Sequence, residues 1–168
     1  MLSKLLLLLV VTSFSVGCHL SAASPSSEVA KNIARVEINQ SSGDKVAIPL
    51  GNKLTIVNFF DEFSAGCPTG NRFDTMERLN WLRPIGTTML LVFSEKHFST
   101  QDLENFKAIL PMADSLAQGD IEAIRPHLIN GKLLVVLDSK GSVIWREQEE
   151  TEQQVFGEIS KLIQSASK

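Results

Sequence analysis

With 168 residues, 43% of them hydrophobic and 21% charged, the chain has the size and composition of one globular domain plus a short appendage. A net charge of −3, no tyrosine and only two tryptophans provide neither a basic stripe for a phosphate backbone nor a row of platforms for bases. Nucleic acid is therefore not an expected partner.

Residues 1–17 have the pattern of an export signal: Lys4 supplies a positive start, Leu5 to Val11 is an unbroken apolar run, and Ser15-Val16-Gly17 are small or short. The run is too short to span a bilayer. Small residues just before Cys18 resemble the lipobox of bacterial lipoprotein signals, although Ser15 stands where Leu is usual. That resemblance implies cleavage after Gly17, a thioether from the Cys18 sulfur to diacylglycerol, and a protein held on a membrane of the cell envelope with its domain in the periplasm or outside. An ordinary cleaved signal is the alternative, leaving Cys18 discarded or unmodified. If Cys18 is lipidated or removed, the domain keeps one thiol, Cys67, and an internal disulfide is excluded.

Residues 18–31, rich in Ser, Ala and Pro, read as a flexible tether, with the folded domain expected over 32–168. Val36 to Asn39 and Lys45 to Ile48 alternate around the turn residues Ser41 to Asp44, which predicts a hairpin. Leu54 to Phe60 is a nearly continuous apolar run of strand length, as expected of a central strand covered on both faces. Beyond Cys67, Pro68 suits a first helical position, and Phe73, Met76, Leu79 and Leu82 recur at helical spacing before Pro84, which predicts a helix with these four in the core.

Thr88 to Phe93 is a second buried strand, and strand, helix and strand form a right-handed parallel βαβ unit. Ser99 and Asp102 open a helix that Pro111 closes, and Ile121, Ile124 and Leu128 suggest a short one after it. Leu133 to Leu137 is a third core strand, returning through the turn Asp138 to Gly141 into Ser142–Trp145. Thr151 and Gln154 form a capping box for a terminal helix striped by Val155, Phe156, Ile159, Leu162 and Ile163. The acidic residues Glu147, Glu149, Glu150 and Glu152 read as a solvated approach to that helix. This order of elements resembles the thioredoxin fold, an α/β architecture with a central mixed sheet flanked by helices.

A cysteine at a helix start meets unpaired N–H groups and the positive end of the helix dipole, both of which favour thiolate. Arg72 and Arg78, on the same helix, add to that effect if they point back toward the sulfur. The segment Phe63-Ser64-Ala65-Gly66-Cys67-Pro68-Thr69 resembles the peroxidatic loop of peroxiredoxins, especially the bacterioferritin comigratory type. The ungapped match runs from Ile56 through Cys67, and the order of elements extends it over about residues 32 to 165. The resemblance implies that Cys67 attacks peroxide to form a sulfenic acid while the Ser64 hydroxyl hydrogen-bonds the peroxide.

The sequence departs from that family at Phe60, where the family has its loop Pro, at Gly70, where it has Glu, and at Lys132, where it has Arg. Lys132 supplies charge without the fork geometry of a guanidinium. Arg72 occupies a place where some members keep a resolving cysteine, so the implied activity is of the one-cysteine kind and needs an external thiol reductant. A Cys-x-x-Cys exchange is excluded, because Ser64 and Gly70 stand where a second cysteine would be. In Sco-type copper carriers of the same fold a histidine converges on the cysteines; His127 is the candidate here, but Asn71 fills the second cysteine position. The histidines at 19, 97 and 127 lack metal-ligand spacing, so no cofactor or metal is expected. The competing reading is a redox-inactive binding or scaffolding lipoprotein with a partner protein, in which Cys67 is a small buried hydrophobe and Ser64 a turn cap.

Overall fold

A computed structural model describes residues 27–39, 44–62, 69–148 and 150–167. Cys18, Ser64, Cys67 and Pro68, the expected signal 1–17 and Glu149 lie outside the described residues. In chain order come α1 (Ser27–Ile33), β1 (Glu37–Asn39), β2 (Lys45–Ala47), β3 (Leu54–Phe60), α2 (Thr69–Leu82) and β4 (Thr87–Ser94). They are followed by α3 (Thr100–Ile109), β5 (Ser115–Gly119), a 3-10 turn (Glu122–His127), β6 (Lys132–Asp138), β7 (Val143–Arg146) and α4 (Glu152–Ala166).

The described strands form one mixed sheet in the order β2-β1-β5-β4-β3-β6-β7. β3 runs parallel to β4, pairing Leu54 with Thr87 through Phe60 with Phe93, and antiparallel to β6, pairing Phe60 with Lys132. β5 lies parallel to β4 and takes β1 antiparallel on its other side. Every residue of β3 is buried, as its continuous apolar run requires of a strand covered on both faces.

Alternation along the strands divides the core in two. Ile56, Phe60, Leu91, Phe93, Leu134 and Val136 face α2, α3 and α4, whereas Val57, Phe59, Leu90, Val92, Leu133 and Val135 face α1 and the 3-10 turn. On the first face Phe60 stacks on Phe93 with centroids 5.1 Å apart, so the residue replacing the resembled family's loop Pro serves packing. Three expectations require correction. The folded part begins inside the stretch read as tether, because Val29 and Ile33 of α1 are buried against the second face. Leu82 is exposed, since the last turn of α2 runs past the sheet. The strand β5 was not predicted; Ser115-Leu116-Ala117-Gln118-Gly119 has neither a continuous apolar run nor clear alternation, and its place comes from β4 and β1.

Two helices start on the capping boxes that the sequence contains, Ser99 with Asp102 for α3 and Thr151 with Gln154 for α4. The Thr151 hydroxyl accepts from the Gln154 N–H, and Gln154 Oε1 accepts from the Thr151 N–H at 2.9 Å. Thr151→Ala is expected to cost about 1 kcal/mol, read as a lower urea midpoint at unchanged slope.

Candidate functional site

The parallel strands β3 and β4 end at the same edge of the sheet, the edge where open α/β sheets hold ligands. At that edge the chain leaves β3 through Asp61 and Glu62 and is described again from Thr69 in α2; Ser64 and Cys67 fall between these points and outside the described residues. The loop before β6 borders the same edge. Its Asn130 and Gly131 both have positive φ, at 51° and 74°, and a Cβ at Gly131 would sit 3.3 Å from the Glu62 carbonyl oxygen. The Asp61 N–H donates to the Gly131 carbonyl at 2.9 Å, which fixes the two loops together.

Beneath this edge lies a charged cluster built from four elements. Arg72, on the first turns of α2, is 0% exposed and holds two carboxylates at once. Its Nη1 donates to Glu147 Oε2 at 2.9 Å and its Nη2 to the other Glu147 oxygen, while Nε donates to Glu152 Oε1 and Oε2 at 3.0 Å. Lys132 Nζ, at the start of β6, donates to Glu152 Oε1 at 2.8 Å. Glu147, just beyond β7, also accepts from the Leu134 N–H at 3.0 Å and so closes the strand edge with its own side chain. Asn58 is the one polar residue among the α2-facing residues of β3; its Oδ1 lies 3.5 Å from Arg72 Nη1, and its Nδ2 is buried without a hydrogen-bond partner among the described residues.

Two cations and two carboxylates make the cluster neutral, the condition under which such burial is tolerated. For Arg72, burial works against the charge, but the hydrogen bonds and charges of Glu147 and then Glu152 outweigh it and hold the guanidinium above its ordinary range. For Glu152, burial pushes upward, while hydrogen bonds from Arg72 and Lys132 prevail and hold its carboxyl below the ordinary value of 4.5. A carboxyl lowered in the folded state stabilises the fold above its unfolded pKa, and the contribution is lost as pH falls through the folded value. Urea midpoints are therefore expected to drop on acidification below about pH 4.5, and Glu152→Gln to flatten that acid limb relative to the unsubstituted chain.

Lys132 thus sits at the edge that carries Cys67 in sequence, buried and engaged by Glu152. Arg72 turns onto carboxylates, and Arg78 lies 3.8 Å over the ring of Phe156, so both guanidinia have partners within the fold. The acidic run is not simply solvated: Glu147 is 2% exposed and Glu152 is bound to two cations. Sequence reading overlooked this because Glu147 and Glu152 meet Arg72 and Lys132 only through tertiary structure; a lone Arg on the buried stripe of α2 was the available signal. At the same edge Asp61 accepts from Arg125 Nη2 at 3.0 Å, and His97 Nε2 lies 3.8 Å from Asp61. His127 lies in the 3-10 turn, half-buried. Among the described residues no group of three His, Cys, Asp or Glu side chains is placed to hold a metal.

No protein-family profile and no curated protein matches the chain. Solved structures do match in shape. A thioredoxin-like protein from Aeropyrum pernix superposes with a TM-score of 0.57 at 15% identity, over 83% of this chain and 94% of its own. The bacterioferritin comigratory protein of Xanthomonas campestris gives 0.53 at 12% identity, over 79% and 92%. Copper-bound ScoI of Arabidopsis thaliana gives 0.52 at 10% identity, over 77% and 96%. At these identities the likeness is one of fold. By its strand order, its parallel crossover and these likenesses, the chain has the thioredoxin-like fold.

Proposed function

We propose that the chain is an envelope thiol-dependent oxidoreductase, peroxiredoxin-like with Cys67 as its single active cysteine, exported by residues 1–17 and anchored by lipid on Cys18. The redox reading is supported by the sequence: Cys67 falls between a buried parallel strand, β3, and the helix α2, and β3 ends at the edge where open α/β sheets hold ligands. In the proposed reaction the Cys67 thiolate attacks a peroxide oxygen near the Ser64 hydroxyl. An S–O bond forms, the O–O bond breaks, the sulfur is oxidised to sulfenic acid, and the departing alkoxide takes a proton. One external thiol displaces that oxygen as water to give a mixed disulfide, and a second releases the external disulfide and restores Cys67.

The test is consumption of hydrogen peroxide by the full chain with dithiothreitol as reductant. Turnover that requires both reagents and saturates with peroxide is expected; none above the rate of dithiothreitol alone would reject the proposal. A second reading, a redox-inactive binding lipoprotein, is favoured by one observation: Arg72 and Lys132, the cations nearest this edge in sequence expectation, are both committed to carboxylates. Under that reading the peroxide assay is blank and the Cys67 thiol resists alkylation in the folded chain.

A further inference from the structure

Two of the four charged side chains in the buried cluster are fully engaged. Arg72 meets Glu147 and Glu152 with all three of its nitrogens, and Glu147 closes on Arg72 and on the Leu134 N–H. Lys132 and Glu152 differ from them. An ammonium has three N–H donors, and among the described residues Glu152 Oε1 is the one acceptor that Lys132 meets. Glu152 is the member that reaches solvent, with a side chain 21% exposed against 8% for Lys132.

This pair stands where β3 ends. Lys132 opens β6 opposite Phe60, the last residue of β3, and from Phe60 the chain leaves through Asp61 and Glu62 for the segment that holds Cys67. Alternation along β6 puts Lys132 on the sheet face of Leu134 and Val136, and Glu152 meets it from the first turn of α4, where the capped helix start favours a carboxylate. The charged groups on the flanking elements are Arg72 on α2, Glu147 and Glu150 between β7 and α4, and Asp61 and Glu62 after β3. Arg72 and Glu147 balance each other, and Asp61 is engaged by Arg125. Arg146 pairs with Val135 and so lies on the other face of the sheet.

The net charge at this point therefore turns on one carboxylate. With Glu152 ionised, the Lys132 ammonium is balanced. With an uncharged oxygen in place of that carboxylate, the same ammonium acts on its surroundings as a net positive charge, and a positive charge favours a thiolate over a thiol. We propose that Glu152 is a positioning residue for the Cys67 chemistry: it holds the Lys132 ammonium at the edge where β3 ends and, by balancing that charge, sets how acidic the Cys67 thiol is. The proposal rests on the thiol reading of the preceding section; it requires a reactive Cys67 but not the reduction of peroxide.

Alkylation of Cys67 by iodoacetamide is followed against pH in the folded unsubstituted chain, in Glu152→Gln, in Lys132→Met and in the double variant, with the urea midpoint of each at pH 7. Glu152→Gln keeps an oxygen for Lys132 and removes the charge, and is expected to lower the inflection by about half a pH unit or more. Lys132→Met is expected to raise it by a similar amount. The double variant removes one charge of each sign and is expected to return the inflection to within about 0.3 unit of the unsubstituted chain. Lys132→Gln replaces Lys132→Met if the latter does not fold.

A purely structural role would loosen the fold in both single variants and move both inflections the same way, toward that of an unfolded thiol. Inflections that do not move in opposite directions overturn the proposal, as does a Cys67 that reacts only after unfolding. Peroxide turnover by the unsubstituted chain is measured separately. Its absence rejects the peroxidase reading while opposite shifts still support the role of Glu152; turnover without opposite shifts rejects the role of Glu152 alone.

Discussion

Cys67→Ser is expected to lower peroxide-dependent thiol oxidation by at least about 10³-fold while leaving the fold intact. A serine hydroxyl has nearly the volume of the thiol but neither its acidity nor its readiness to form and release a bond to oxygen, so the first step of the proposed cycle has no substitute. The chain offers no second route: Cys18 is the remaining cysteine, and it lies in the segment expected to be lipidated. The rate is compared at equal protein concentration alongside the urea midpoint. A midpoint unchanged with activity lost assigns the chemistry to the sulfur; activity retained in the variant removes Cys67 from the reaction.

Glu147→Ala is expected to destabilise the fold by about 3–5 kcal/mol, the cost of breaking a buried ion pair from one side. The carboxylate it removes holds both terminal nitrogens of Arg72 and accepts from the Leu134 N–H. Its loss leaves a guanidinium with 0% exposure to Glu152 and the 3.5 Å contact with Asn58 Oδ1, and a buried strand N–H without its acceptor. Arg72→Met combined with Glu147→Leu removes both members and is expected to cost less than the single change, because apolar replacement of a whole buried pair is often near neutral. Urea denaturation of the three chains at pH 7 checks both statements; a single variant no less stable than the double would show that the cluster contributes little to holding α2 against β6 and α4.

The frame of the fold was legible because its signals are local. Continuous apolar runs marked β3, β4 and β6, two capping boxes marked α3 and α4, and the turn Asp138 to Gly141 marked the last hairpin. β5 was hidden because its residues gain strand character from neighbours on both sides, and α1 because a seven-residue helix in a Ser- and Ala-rich stretch is stabilised by burying Val29 and Ile33. The sulfur of Cys67 and the hydroxyl of Ser64 rest on a sequence motif and lie outside the described residues. The charged cluster beneath was not legible, since Arg72 and Glu147 lie 75 residues apart and nothing in either local sequence announces the other. That cluster also commits Arg72 and Lys132 to carboxylates of the fold.

The most direct measurement is the rate of alkylation of Cys67 in the folded chain across a pH series. Reaction that follows a thiolate with an inflection at about pH 7.5 or below is the expected result, one unit or more under a free cysteine. An inflection at or above about 8.5, or a thiol that reacts only after unfolding, would contradict the account.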